Sequence, residues 1–178
     1  MTIHSVPLDS HIETKIAWAN DCRWRKGEAL LTDPAVARLL ESLNSAIRDS
    51  RRTMAQAGIV EECGNCEQKR GGSCCGLGLE NYYSGNLLLI NLLLDVELPD
   101  RRSEPRSCFF LGPRGCLLAA RHVICINYLC EEVTSRINPS RIAELREKEG
   151  VEVNLLFQLN ERLLKVLHGE TQGSPLHP

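Results

Sequence analysis

The chain has 178 residues, a formal net charge of -2 and a pI near 6.2. That is enough for one domain with a full hydrophobic core, and the lack of a net basic field argues against a dedicated nucleic-acid binder. The aromatics are Trp18, Trp24, Tyr82, Tyr83, Tyr128, Phe109, Phe110 and Phe157, too sparse and too poorly interleaved with basic residues to make a base-stacking platform.

The segment Met1 to Pro7 has neither a basic start nor an apolar core, so no secretory signal is expected. The longest apolar run, Leu87 to Leu94, is interrupted by Asn91 and falls far short of the roughly 20 residues that span a bilayer. A soluble, cytoplasmic protein without a membrane segment is the expectation.

From about Asp9 to Lys26, Ile12, Ile16 and Ala19 recur at helical spacing, and Gly27 reads as the stop. Asp33 offers an N-cap with Pro34 at the first helical position. Val36, Leu39, Leu40, Leu43, Ile47 and Met54 then form one apolar stripe, in a helix that should run to Ala57 and stop at Gly58. That stripe serves equally well as core or as a dimer face. Val60 to Leu79, rich in Gly and Cys, reads as irregular loop. Gly85 to Leu98 is Leu-rich rather than β-branched and reads as a helix closed by Pro99. The charged stretch Asp100 to Ser107 is a surface loop. Cys116 to about Ile137 reads as one helix. Asn138 caps another with Pro139 behind it, carrying Ile142, Leu145, Leu156, Leu159, Leu163 and Val166, with a break or kink at Gly150. The tail from Glu170 to Pro178 has no core-forming residues and is expected to be disordered. The predicted fold is mostly α: a single domain over 1–169, with helices at 9–57 and 139–168 flanking an irregular cysteine-rich metal-binding centre at 60–135.

Cysteine content is the anomaly. Of nine cysteines, eight lie between Cys63 and Cys130, while Cys22 stands apart beside Arg23, Arg25 and Lys26 and reads as an ordinary helix residue. Disulfides are disfavoured in a reducing cytosol, so such density points to metal, and soft thiolates select zinc or an iron–sulfur cluster. The first group is Cys63-Gly64-Asn65-Cys66 followed by the adjacent Cys74 and Cys75. A C-x-x-C turn brings two thiolates to one ion, with Gly64, Gly71 and Gly72 supplying backbone freedom. Adjacent side chains point apart, so Cys74 and Cys75 either divide between ligand and packing roles or serve two centres. The second group is Cys108, Cys116, Cys125 and Cys130. On a regular helix Cys125 and Cys130 would stand about 140° apart, so both reach one centre only if the helix ends or distorts between them.

The order Cys63-x-x-Cys66, vicinal Cys74-Cys75, Cys108-Phe109-Phe110-Leu111, Cys116, Arg121-x-x-x-Cys125 and Cys130 resembles the YkgJ-type family, a cysteine-cluster domain described as zinc- or iron-chelating. The resemblance covers roughly Cys63 to Cys130. The insertion Glu67 to Ser73 and His122 after Arg121 depart from the family pattern. The resemblance implies that all eight cysteines belong to the metal site. Arg121, placed one helical turn before Cys125, would offset thiolate charge. Flagellin lysine methylases carry a similar cysteine domain, which leaves a metal-dependent modifying enzyme as one reading. The others are an iron–sulfur protein with a redox or cluster-handling role and a structural zinc module that binds a protein partner. The cysteines beyond four favour the iron–sulfur reading, because structural zinc needs only four ligands.

Overall fold

The computed structural model describes residues 6–70 and 74–169, with 66–70 described as backbone only. The expected tail 170–178 lies outside the described residues, as does the side chain of Cys66. The mostly-α expectation holds: the helices are α1 (Ile12–Thr32), α2 (Pro34–Gln56), α3 (Ile59–Arg70), α4 (Gly85–Leu93), α5 (Val123–Asn127), α6 (Glu131–Arg136) and α7 (Pro139–Leu167). A 3₁₀ turn at Leu79–Tyr82 precedes α4, and a two-stranded hairpin, β1 (Leu111–Gly112) with β2 (Gly115–Cys116), precedes α5.

Local signals set the long helices. Asp33 caps α2 by accepting from the backbone N–H of Ala35 and Val36, both at 3.0 Å, with Pro34 behind it. Asn138 caps α7 from the Ser140 N–H at 2.9 Å, again followed by proline. The apolar stripe of α2 is internal: Val36, Leu40, Leu43 and Ile47 are buried in the main core, where α2 runs against α7 and α1 against α4. A dimer face on α2 is therefore ruled out for those residues. Tyr83, Phe109, Phe110 and Leu118 close the same core from the cysteine-bearing segments. A smaller core joins Ala57, Ile59, Val133 and Leu145.

Four expectations about elements are corrected. Helix α1 passes through Gly27 to Thr32, because Gly27 faces inward and Leu30 still has core to enter. Residues 59–70, expected as loop, are helical. Gly58, at φ +83°, turns the chain after α2, and α3 then docks the fully buried Ile59 in the smaller core. Cys63-Gly64-Asn65-Cys66 is thus a stretch of helix rather than a turn. The expected helix from Cys116 to Ile137 divides into β2, an extended stretch through Arg121 and His122, α5 and α6. Finally, α7 continues through Gly150 without a break, held by burial of Leu145 and Glu149 before it and of Glu152, Leu159 and Leu163 beyond it. Among the described residues no helix is long and apolar enough to cross a membrane.

Cys22 is buried completely within the main core, and burial, with Asp21 nearby, pushes its thiol up to about 11 against the opposing charges of Arg25 and Lys26. A serine there would bury an unpaired hydroxyl, so Cys22→Ser is destabilising rather than neutral.

Arg162 on α7 pairs with Asp33 and holds its carboxyl below the ordinary 3.8, assisted by the capping N–H groups and opposed by burial. A carboxyl depressed in the folded state contributes stability above its unfolded pKa and loses that contribution as pH falls through its folded value. Replacing the cap, Asp33→Ala, should cost about 1 kcal/mol in urea unfolding at neutral pH. Asp33→Asn should retain most of the cap and show a shallower loss of stability below pH 4 than the parent chain.

Candidate metal centre

Three separated stretches meet beside the start of α4. The segment around Cys75 runs against the segment before Cys108: Cys108 N–H donates to the Cys75 carbonyl at 2.7 Å, Leu77 N–H to the Arg106 carbonyl at 3.2 Å, and Gly76 bridges Ser107. Glu80 locks this arrangement. Its buried carboxylate accepts from Gly78 N–H at 3.0 Å and Phe109 N–H at 3.4 Å and pairs with Arg102. Burial alone would raise the Glu80 carboxyl, but the Arg102 hydrogen bond and charge and the backbone donors bring it below its ordinary value. Arg102 also donates to the Ser107 carbonyl and lies 5.6 Å over the Phe109 ring.

The hairpin then delivers Cys116. Gly115, at φ +107°, makes the turn that returns β2 onto β1, pairing Leu111 with Cys116. Beyond it, Asn91 of α4, fully buried, accepts from Ala120 N–H at 3.0 Å and donates to the Ala120 carbonyl at 2.9 Å. Its carboxamide also reaches the Leu87 carbonyl at 2.9 Å. The Tyr83 hydroxyl, on a nearly buried ring, accepts from His122 N–H at 3.1 Å and donates to Cys125 Sγ at 3.7 Å. His122 caps α5 through Nδ1, which accepts from Ile124 N–H at 3.2 Å, and burial lowers its pKa; its side chain serves the backbone.

The structure places seven of the eight predicted donors, the side chain of Cys66 lying outside the described residues. Cys75, Cys108, Cys116 and Cys125 border the main core: Cys108 is buried in it and the other three pack half-buried against it. Cys108 lies in the electrostatic field of Cys75 and Cys116, Cys116 in that of Cys125, and Tyr83 in that of Cys116 and Cys125. Burial pushes the Cys108 thiol up to about 12, despite a hydrogen bond from Phe110 N–H. Burial also raises Cys116, opposed by the Leu118 N–H and by the charges of Arg121 and Arg51. Cys63 and Cys130 instead pack against the smaller core, Cys130 at the N-cap of α6. The helix does end between Cys125 and Cys130, and the interruption sends them to different cores. Cys74 is exposed while its neighbour Cys75 packs inward, as adjacent side chains require.

Arg121 is not on a helix before Cys125; it lies in the extended stretch, and its charge acts on Cys116. Its buried Nε has no hydrogen-bond partner. Arg51, which donates to the Leu118 carbonyl at 2.5 Å and to that of Ala119 at 3.2 Å, brings a second cation to the same place.

Among the described residues, no three His, Cys, Asp or Glu side chains are gathered closely enough to hold a metal ion. The donor chemistry nevertheless suits a thiophilic metal. Cys75, Cys108, Cys116 and Cys125 border the same apolar core, and the charges of Arg51 and Arg121 act on Cys116, with the buried Nε of Arg121 left without a partner. No family model matches the chain, and neither a curated protein nor a solved structure matches it significantly.

Asn91, Tyr83 and Glu80 escape the reading of the sequence. The one available signal is Asn91, an amide inside the apolar run Leu87 to Leu94, where an unpaired polar group would be costly. Asn91→Leu keeps the size and strands both backbone groups of Ala120. It should cost about 2–4 kcal/mol in urea unfolding, against about 1–2 kcal/mol for Tyr83→Phe, which strands one backbone group, the His122 N–H, and removes the weak bond to Cys125 Sγ.

Proposed function

We propose that Cys75, Cys108, Cys116 and Cys125 are the donor set of one metal centre, an iron–sulfur cluster in a protein with a redox or cluster-handling role. The observation that carries this reading is that four thiols from separate stretches of chain border one core, Cys108 in the field of Cys75 and Cys116, and Cys116 in that of Cys125. Burial of Cys108 and Cys116 disfavours their thiolates, and a bound cation reverses that preference by replacing the protons. Because the thiols are not gathered around one point, binding has to draw them together, and the fold should tighten as they close.

The residues around the thiols suit this role. Four thiolates with a +2 centre leave a net charge of about -2. Arg51 and Arg121 face Cys116 with two positive charges, and Arg121 retains a buried Nε donor for a sulfur acceptor. Tyr83 holds Cys125 through its hydroxyl and excludes water with its ring. A cluster bound in such surroundings supplies one-electron transfer, with a potential set by burial and by hydrogen bonds to its sulfurs. The cysteine order shared with the YkgJ-type family is consistent with zinc or iron and does not choose between them.

A closed structural zinc site is the second reading, and a specific observation favours it. Of the described cysteines outside these four, Cys63 and Cys130 pack against the smaller core and Cys74 is exposed. Four is the number that structural zinc needs.

Anaerobic purification with metal and acid-labile sulfide analysis decides between the two. Iron and sulfide together, with broad visible absorption, are the expected result; stoichiometric zinc in a colourless protein would support the second reading. Cys108→Ser and Cys125→Ser should abolish binding, while Cys130→Ser should leave the metal content unchanged. Equal loss in Cys130→Ser would show that the donor set is wrongly drawn, and a metal-free wild-type chain that takes up neither metal on reconstitution would end the metal reading.

A further inference from the structure

Helix α7 has an outer face that the fold leaves uncovered. Between it and α5 runs an open groove of about 750 Å³ lined by Asn127, Arg146, Gly150, Val153, Asn154 and Phe157. Phe157 is 63% exposed, a large apolar side chain with no core to enter. Gly150 is the opposite case. It lies mid-helix, where glycine costs roughly 1 kcal/mol relative to alanine, yet a Cβ added there would meet nothing within 4 Å. Nothing inside the chain accounts for the missing side chain, so the gap on the helix surface suits an outside group.

We infer that this face is the interface of a homodimer in which α7 pairs antiparallel with α7 of a second copy, Phe157 of each chain filling the gap over Gly150 of the other. The sequence of α7 is self-complementary in this register. With the two-fold axis between Val153 and Asn154, Gly150 falls opposite Phe157, the exposed Ala143 opposite the half-buried Leu164, and Arg146, whose Nη1 already holds Glu149 of its own chain, opposite Glu161. These positions recur at intervals of three and four residues, so they share one stripe of the helix. Each matched pair joins small to large or plus to minus, and a two-fold interface requires each pair to occur twice. Aromatic anchors seated in a gap on the facing surface commonly dominate such interfaces. The stripe lies to one side of the buried Leu145, Glu149, Glu152, Leu159 and Leu163, so pairing leaves the core and the thiol region undisturbed. The inference is independent of the metal reading.

Sedimentation velocity on the full chain tests it, with far-UV circular dichroism to confirm that each variant is folded. The wild type should sediment as a dimer at micromolar concentration. Gly150→Phe closes the gap and Phe157→Ala removes the anchor, so each should shift the mass to that of a monomer. The double variant Gly150→Phe, Phe157→Ala moves both anchor and gap to the other's position and should restore the dimer. A wild type that stays monomeric at high micromolar concentration would overturn the inference, whatever else the groove binds. So would a dimer that survives both single variants, or folded singles that dissociate with no recovery in the double.

Discussion

Asn91 is fully buried in a helix whose other residues from Leu87 onward are leucine and isoleucine, and its carboxamide exchanges both hydrogen bonds with the backbone of Ala120. An amide in that position would be costly unless both of its ends were satisfied, and the backbone of an irregular segment buried beside a core would be costly for the same reason. Each cost is offset by the other. Ala120 is thereby fixed to α4, and with it the chain that runs back four residues to Cys116 and forward five to Cys125. Tyr83 repeats the device one step along by accepting the N–H of His122. The placement of two thiols thus depends on polar groups that are not themselves candidates for chemistry.

Burial does not distinguish a donor from a packing residue. Cys22 is as deeply buried as Cys108, and desolvation raises both thiols. The difference is company. Cys22 sits on α1 among apolar neighbours, as a small hydrophobe does, whereas Cys108 lies beside Cys75 and Cys116. Glu80 and Arg102 work to the same end on the other side of the region, because their ion pair and the Phe109 N–H fix the segment that presents Cys108. Several polar interactions thus fix the segments that carry these thiols, and burial opposes the ionisation of Cys108 and Cys116.

What could be read from the sequence follows how local each signal is. The caps at Asp33-Pro34 and Asn138-Pro139 need only their own neighbours, and both helices start where expected. The cysteine order is visible, but its partition is not, because it depends on where α5 and α6 divide. The apolar residues Leu117, Leu118, Val123, Ile124, Tyr128 and Val133 suggest one helix across that break, and only tertiary contacts interrupt it. Ile126 enters one buried environment and Val133 the smaller core, with Tyr128 turned out to solvent between them. Composition misled at 59–70, where glycine and cysteine suggested loop while a single buried Ile59 anchors a helix. Gly150 misled in the opposite direction, since neighbouring contacts carry α7 through it.

The inner face of α7 ties the long helices to the thiol region. Glu149 and Glu152 are both buried there. Glu152 accepts from Ser50 of α2, and Glu149 pairs with Arg146 while burial raises its carboxyl. The field of Arg121 reaches Glu149, that of Glu152 reaches Arg51, and both arginines act on Cys116. Two buried acids and two cations therefore lie between the helix pair and the thiols, with one oxygen of Glu152 and the Nε of Arg121 left without partners. Incompletely satisfied networks of this kind respond strongly to any new charge, because the low local dielectric amplifies each interaction. The charges of Arg51 and Arg121 thus act on Cys116 on one side and on Glu152 and Glu149 of α7 on the other, so the long helices and the thiol region share one set of charges.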